Sequence, residues 1–315
     1  MNSRGRFLTA LLLPILFLAG CARAKIIPVS QQKPVAVTKE VNPRQPVFIE
    51  PPLVEIPLGE ELEYSIDWWG IPVGTAILTS EPVSSKEVST LDPPEMREKE
   101  KLAKVTLRAF SNQYLQAFYP VRAELVTFFD CVSHSPYRFE AFVKRRFRKH
   151  KSVITFDRTK GSAFHQLPKG KSTTVPIHPE TQDGLSLIAY ARTLDLQVGQ
   201  AVPLEIAADG RNWHLDGRIE KAEILKLRKM GFWPTFEGKV ELAYPVPFFQ
   251  GARARIWFSA DGQRIPLLAK IQSRIGPVTV VLVRRNNPPN KKMTALKLPP
   301  SFFALRGMAV VERLE

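Results

Sequence analysis

From Leu58 onward the chain alternates. Leu62, Tyr64 and Ile66 are apolar, and Glu61, Glu63, Ser65 and Asp67 stand between them. A period of two over such a run predicts a strand with one buried face. The run breaks at Trp68-Trp69-Gly70-Ile71-Pro72-Val73-Gly74 and resumes over Thr75 to Thr79. Glycine and proline inside a strand pattern predict a corner or bulge, with Gly74 as the position expected to need a positive φ or a close backbone approach. Strand-like runs recur over Ala103 to Phe110, Arg122 to Phe129, Phe139 to Phe147 and Ser152 to Phe156. They continue over Val202 to Ala207, Trp213 to Ile219, Lys239 to Ala243, Ala254 to Phe258, Leu267 to Ser273 and Val278 to Val283. Turn pairs at Lys160-Gly161, Asp209-Gly210 and Asp261-Gly262 separate several of them. One segment reads as a helix, capped by Asp183, carrying Leu185, Ile188, Ala191 and Arg192, and ending near Gly199. Many short strands with one short helix predict a mostly β protein: a curved antiparallel sheet or open β-barrel with the helix packed against it.

The two ends of the chain follow other rules. Arg4 and Arg6 precede an apolar run from Phe7 to Phe17, and Leu18-Ala19-Gly20-Cys21 closes it. A positive start, a short apolar run and small residues before a cut describe a secretory signal. The run is about half of the roughly 20 residues that span a bilayer, so a permanent transmembrane helix is not expected. The ending resembles the lipobox of bacterial lipoproteins, which implies a lipidated Cys21 as the mature N-terminus and a bacterial envelope location. Ala22 stands where some bacteria read an aspartate as an inner-membrane retention signal, which points to the outer membrane, facing the periplasm. Seven prolines from Pro28 to Pro57 then punctuate a tether without sustained periodicity. Extended polyproline at roughly 3.1 Å per residue would reach about 100 Å. The expected organisation is therefore a signal at 1–20, a lipidated tether at 21–57, a β-domain at 58–285 and a C-terminal extension at 286–315. A charged stretch from Ser84 to Lys101 is expected as a loop within the domain.

Charge and cysteine usage narrow the chemistry. The 315 residues carry a formal net charge of +15. A basic chain invites a nucleic-acid reading, but an envelope address replaces nucleic acid with phospholipid headgroups, lipopolysaccharide phosphates and cell-wall polymers as the polyanions at hand. With Cys21 acylated, Cys131 has no disulfide partner in its own chain, so packing must hold the domain together. Cys131 and His134 are close enough to suggest a thiolate and its base, although a cysteine in an apolar run is more often a small core residue. His134, His150, His165, His178 and His214 are scattered without the spacing of metal ligands, and no metal or other cofactor is expected. Gly184-Leu185-Ser186 does not complete a nucleophile elbow, because Ile188 stands in the place of its second glycine.

Two features remain as candidate binding residues. The densest charge is Lys144-Arg145-Arg146-Phe147-Arg148-Lys149-His150-Lys151. Read as one continuous strand, it puts Arg145 and Lys149 on one face with Val143 and Phe147, and Lys144, Arg146 and Arg148 on the other. It is either a phosphate- or carboxylate-binding strip or a charged strand that resists edge pairing. Trp68 and Trp69 sit at the corner already noted. With Phe232, Trp233, Phe236, Tyr244, Phe248 and Phe249 they are either core or the mouth of a cavity for an acyl chain.

Several of these segments resemble one family in order and spacing. They are Gly59-Glu60-Glu61-Leu62-Glu63-Tyr64-Ser65-Ile66-Asp67-Trp68 with Gly70 to Gly74, Tyr119-Pro120-Val121-Arg122, Gln182-Asp183-Gly184-Leu185-Ser186, Ile256-Trp257-Phe258-Ser259-Ala260-Asp261 and Arg264-Ile265-Pro266. Together they resemble the bacterial envelope family catalogued as domain of unknown function 3108, over roughly Leu58 to Val283. The resemblance implies a periplasmic, mostly antiparallel β-domain and supplies no catalytic residues. Three functions stay open: a non-enzymatic binding module for an amphipathic or anionic envelope ligand, a scaffold for other envelope proteins, or a hydrolase or transferase acting on envelope polymers.

Overall fold

The computed structural model describes residues 56–84, 87, 101–167, 170–242, 252–273, 276–286 and 310–311. The expected signal peptide, Cys21, nearly all of the tether, most of the charged loop and most of the C-terminal extension lie outside them. The strands are β1 (Glu61–Trp68), β2 (Ile71–Pro82), β3 (Leu102–Ser111), β4 (Val121–Asp130), β5 (Pro136–Arg145), β6 (Arg148–Asp157), β7 (Ser162–Gln166) and β8 (Ser172–Pro176). They continue as β9 (Ala201–Ala208), β10 (Arg211–Leu227), β11 (Gly231–Leu242), β12 (Ala252–Ser259), β13 (Pro266–Ser273), β14 (Gly276–Asn286) and β15 (Val310–Val311). Helix α1 spans Gln113–Phe118 and helix α2 spans Ser186–Ala191.

The fifteen strands of the described residues form one sheet in the order β15-β10-β11-β12-β13-β14-β1-β2-β3-β4-β5-β6-β7-β8, with β9 also on β10. Every pairing but β10 with β15 is antiparallel. The sheet curls on itself without a closing ladder among the described residues. At the seam the Gly210 amide donates to His165 Nδ1 at 3.1 Å, the Asn212 side chain donates to the Pro176 carbonyl, and Gln182 forms a parallel bridge with Ile206. The expected mostly β, open-barrel fold is therefore found.

The expectation of one helix is corrected to two among the described residues. α1 hides in Gln113-Tyr114-Leu115-Gln116, which has no apolar period because the helix buries none of its residues. α2 stops at Ala191 rather than near Gly199, and the chain after it runs irregularly beneath the sheet. β7 and β8 were not expected either. Ser-Ala-Phe-His-Gln and Ser-Thr-Thr-Val-Pro are short and polar, as suits the edge of a sheet, and carry little hydrophobic signal.

The corner after β1 is a two-residue turn in which Trp69 (φ 54°) and Gly70 (φ 77°) take the left-handed conformation. The positive φ expected at Gly74 falls on these two residues instead; Gly74 continues β2 opposite Ile66. Asp209 and Gly210 form the expected turn with φ of 50° and 73°, the mirror-image geometry that suits the twist of a hairpin.

One half of the curled sheet is packed solid. Phe129, Phe139, Phe156 and Leu125 are almost completely buried on β4 to β6, with Leu185 from the start of α2. Each such aromatic side chain contributes about 1.5–3 kcal/mol relative to exposure. Cys131 packs into the same cluster.

Candidate functional site

The other half is hollow. A cavity of about 310 Å³ lies between α2, the segment after it, and the wall formed by β9 to β14 and β1 to β3. That is about ten water molecules' share of liquid volume, and at the lower end of the range for ligand pockets. Its lining is almost wholly apolar, with Arg218 and Lys239 as the charged residues on it.

The registers show why the wall leaves room. Ile219, Gly238, Ile256, Ala269, Val280 and Ile66 lie opposite one another across six strands. Two residues along, Val202, Gly217, Val240, Ala254 and Ile271 form a second row on the same face. All eleven line the cavity. Glycine or alanine stands at four of them, where valine or isoleucine would fill the interior. Gly217 has a second reason for lacking a side chain, since a Cβ there would overlap the Val202 carbonyl. Leu187, Ile188, Ala191, Leu194 and Leu196 cover the wall from α2 and its continuation.

Buried polar groups hold that cover at both ends. At the start of α2, Asp183 is fully buried and its Oδ1 accepts the amides of Leu185 and Ser186, both at 2.8 Å. Its Oδ2 accepts the Thr127 hydroxyl at 2.6 Å. Burial pushes the Asp183 carboxyl above the usual range, and these hydrogen bonds oppose it. At the end of α2, Arg192 donates to Glu60 Oε2 at 2.6 Å and to the Gln263 carbonyl at 3.0 Å. Glu60 also accepts from Arg285 Nε at 2.9 Å, and all three charged side chains are buried. Tyr64, which lines the cavity beside this group, donates its hydroxyl to the Pro266 carbonyl at 2.9 Å. Arg158 supports the approach to α2 by donating to the carbonyls of Pro136, His178, Pro179 and Thr181. Burial lowers its pKa to about 10. None of Glu60, Arg192, Arg285, Arg158 or His165 was singled out as a site residue in the sequence, because partners so far apart in the chain leave no pattern there. Gly217, a glycine inside the Trp213 to Ile219 strand pattern, was a local signal of unusual space.

The expected candidate residues lie elsewhere. Lys144, Arg145, Arg146, Arg148 and Lys149 do not form one strand. The chain reverses at Arg146-Phe147, with Arg146 in the left-handed region (φ 35°), so that Arg145 faces Arg148 and Lys144 faces Lys149. Arg148 and Lys149 therefore sit on faces other than those expected from a continuous strand; no glycine or asparagine announces the turn. Lys144, Arg146, Phe147, Arg148 and Lys149 are exposed, and Arg145 is half-buried. Burial lowers the pKa of Arg145, and a hydrogen bond with Tyr119 opposes the shift. Trp68 packs partly against the core, and Trp69 is exposed with its ring over Gly276. Neither lines the cavity. Among the other aromatics considered for a cavity mouth, Phe236 is buried under the Arg264 guanidinium, Trp233 packs on the core and Phe232 is exposed; Tyr244, Phe248 and Phe249 lie outside the described residues. Among the described residues no three His, Cys, Asp or Glu side chains gather as a metal site would need.

A second recess of about 560 Å³ on β10 to β13 brings Glu223 and Glu237 between Lys221, Lys239, Arg253, Arg255 and Lys270. Lys221 bridges the two carboxylates at 2.7 and 3.1 Å, and Trp257 donates to Glu223 at 2.6 Å. Its lining carries five cations against two carboxylates; Lys239 and Arg253 also pair with Glu241 at 3.4 and 3.9 Å, and Lys270 lies over the Trp257 ring.

No helix among the described residues is long and apolar enough to cross a membrane. No curated protein matches the chain. Among solved structures it is similar to a beta-barrel-like protein of domain of unknown function DUF1849 from Brucella abortus. The two are 11% identical with a TM-score of 0.47, over 74% of this chain and 99% of that one. It is also similar to a DUF1089 family protein from Pseudomonas aeruginosa, 12% identical with a TM-score of 0.30, over 60% of this chain and 87% of that one. Residues 63–283 match the family described as protein of unknown function DUF3108. That span holds both walls of the cavity, α2 and the turn motifs that position them, and on this match the chain belongs to the DUF3108 family.

Proposed function

We propose that this protein is a lipid-anchored, non-enzymatic binding protein of the bacterial envelope, held at the outer membrane by Cys21 and facing the periplasm. Its β-domain takes the apolar part of an amphipathic envelope ligand into the cavity beneath α2. The observation that carries the reading is the apolar cavity itself, with Gly217, Gly238, Ala254 and Ala269 in its wall. An ordinary core is close-packed, and voids larger than a water molecule are few. Here one half of the same sheet is filled by phenylalanines while the other is kept open by small residues. Empty apolar cavities stay dry and bind apolar guests. An acyl chain suits this one: the lining provides almost nothing for a polar group to bind, so the headgroup would stay outside.

The test is binding of a fluorescent naphthylamine probe and its displacement by a long-chain fatty acid, with native mass spectrometry of protein purified gently from its own envelope. Parent protein should bind the probe in competition with the fatty acid and carry a lipid-sized mass. Ala254→Leu and Ala269→Leu, which push side chains into the cavity, should lose both while keeping a cooperative unfolding transition. Equal probe binding by parent and filled variants would overturn the reading, as would absence of binding in the parent, and the scaffold function would then lead.

A further inference from the structure

One end of the sheet carries a surface that the cavity does not use. Successive strands β1 to β6 are antiparallel, so the β1–β2 turn, α1 between β3 and β4, and the β5–β6 turn all lie at the same end. Hydrogen bonds make them contiguous. The Asn112 amide donates to the Val73 carbonyl at 3.0 Å and its side chain to the Pro72 carbonyl at 2.5 Å. On the far side of α1, the Arg146 amide donates to the Pro120 carbonyl at 3.0 Å.

This end exposes Trp69, Ile71, Tyr114, Phe118 and Phe147, with Phe147 at 87% exposure on the hairpin tip. α1 buries none of its residues, so Tyr114 and Phe118, four apart and on one helical face, are not explained by the core. Exposed apolar residues scattered singly need no explanation, but contiguous ones mark a contact surface. Around them stand exposed cations. Arg122, Lys144 and Lys149 lie opposite one another across β4, β5 and β6, and Arg146 and Arg148 flank the tip. Like charges facing each other across strands destabilise a sheet unless something offsets them. Residues 68–75, 110–123 and 141–156 contain no aspartate or glutamate, and Glu124, the next acid along that face of β4, is paired with Arg108 at 3.8 Å.

We infer that this end of the barrel docks on the surface of an anionic lipid bilayer. Tryptophan, tyrosine and phenylalanine settle at headgroup depth, and basic residues are drawn to the negative surface beside them. The cations fan out along an exposed edge instead of converging on one point, which suits a field of headgroups better than a single phosphate. The inference goes beyond the cavity reading and shares no lining residue with it.

Hydrogen exchange of the whole chain tests this, with vesicles of phosphatidylglycerol and phosphatidylcholine, with phosphatidylcholine vesicles alone, and with inorganic phosphate. On the anionic vesicles, amides of residues 69–72, 113–119 and 144–149 should become protected together, and high salt should reverse the protection. The variant Phe118→Ser, Phe147→Ser, Arg146→Gln, Arg148→Gln should lose it, while Ala254→Leu, which fills the cavity, should keep it. All substituted tip residues are exposed, so an unchanged melting temperature confirms that the fold survives. Three results would overturn the proposal: no joint protection on anionic vesicles, the same protection with inorganic phosphate, or protection that grows with protein concentration without lipid, as a second copy of the chain would produce.

Discussion

His165, on β7 next to the edge strand β8, accepts the backbone amide of Gly210 from the β9–β10 turn, and this pair joins the two ends of the curled sheet. The imidazole is 1% exposed, and its Nε2 finds no hydrogen-bond partner. Burial lowers its pKa from 6.5 to about 4. The folded state therefore resists the proton that the unfolded chain takes up near 6.5. Stability from this group is complete above about pH 6.5, declines as pH falls, and levels off below about pH 4. The decline is at most about 3 kcal/mol. Urea unfolding at a series of pH values should show a steeper loss over that window in the parent than in His165→Gln. Parallel curves would mean that the seam does not sense the imidazole charge.

Glu60 stands between two buried guanidinium groups, Arg192 and Arg285. Removing the shared anion strands both cations, whereas removing Arg192 leaves Glu60 with Arg285. Breaking a buried pair costs about 3–5 kcal/mol when a charge is left uncompensated. Glu60→Ala should therefore destabilise the protein by at least that much and more than Arg192→Met does. The reverse order in chemical denaturation would contradict a shared-anion arrangement. Loss of Arg192 should also loosen the end of α2, seen as faster amide exchange over residues 186–192.

The ring of Trp69 lies against Gly276, whose φ is +114°. A Cβ at that position would overlap the indole, and the backbone conformation is strained for any other residue. Gly276→Ala should cost about 1–3 kcal/mol from the backbone alone and more with the clash. In a Trp69→Ala background part of that cost should vanish. A double-mutant cycle reads this directly, and strict additivity would show that the ring can move aside freely.

Lipidation at Cys21 is the expectation on which localisation rests. Cells fed an alkyne fatty acid should label the parent and not Cys21→Ser, because serine lacks the thiol acceptor. Density-gradient fractionation should place the parent with outer-membrane markers. Label on the serine variant would end the lipoprotein reading; cofractionation with inner-membrane markers would correct its address alone.

The period-two pattern determines most of this molecule. Alternation over Leu62, Tyr64 and Ile66, and over Val121, Ala123 and Leu125, is a local property, since neighbouring side chains on a strand must point to opposite faces. It is therefore readable without knowing what packs against it, and so are turn signals such as Asp209-Gly210. The family's motif residues were legible for a similar reason, although their roles were not. Asp183 holds the start of α2, and Arg264 donates to the carbonyls of Ala260 and Asp261 beneath the β12–β13 turn, so both act structurally. Tertiary structure alone decided what depends on registers between distant strands. Gly217, Gly238, Ala254 and Ala269 become one wall only when β10 to β13 align, and Glu60 meets Arg192 across 132 positions. The basic run shows the same limit at short range: its charges were plain in the sequence, but the reversal at Arg146-Phe147 was not. Pairing between β5 and β6 sets that turn in place of a glycine, and so decides which cations share a face.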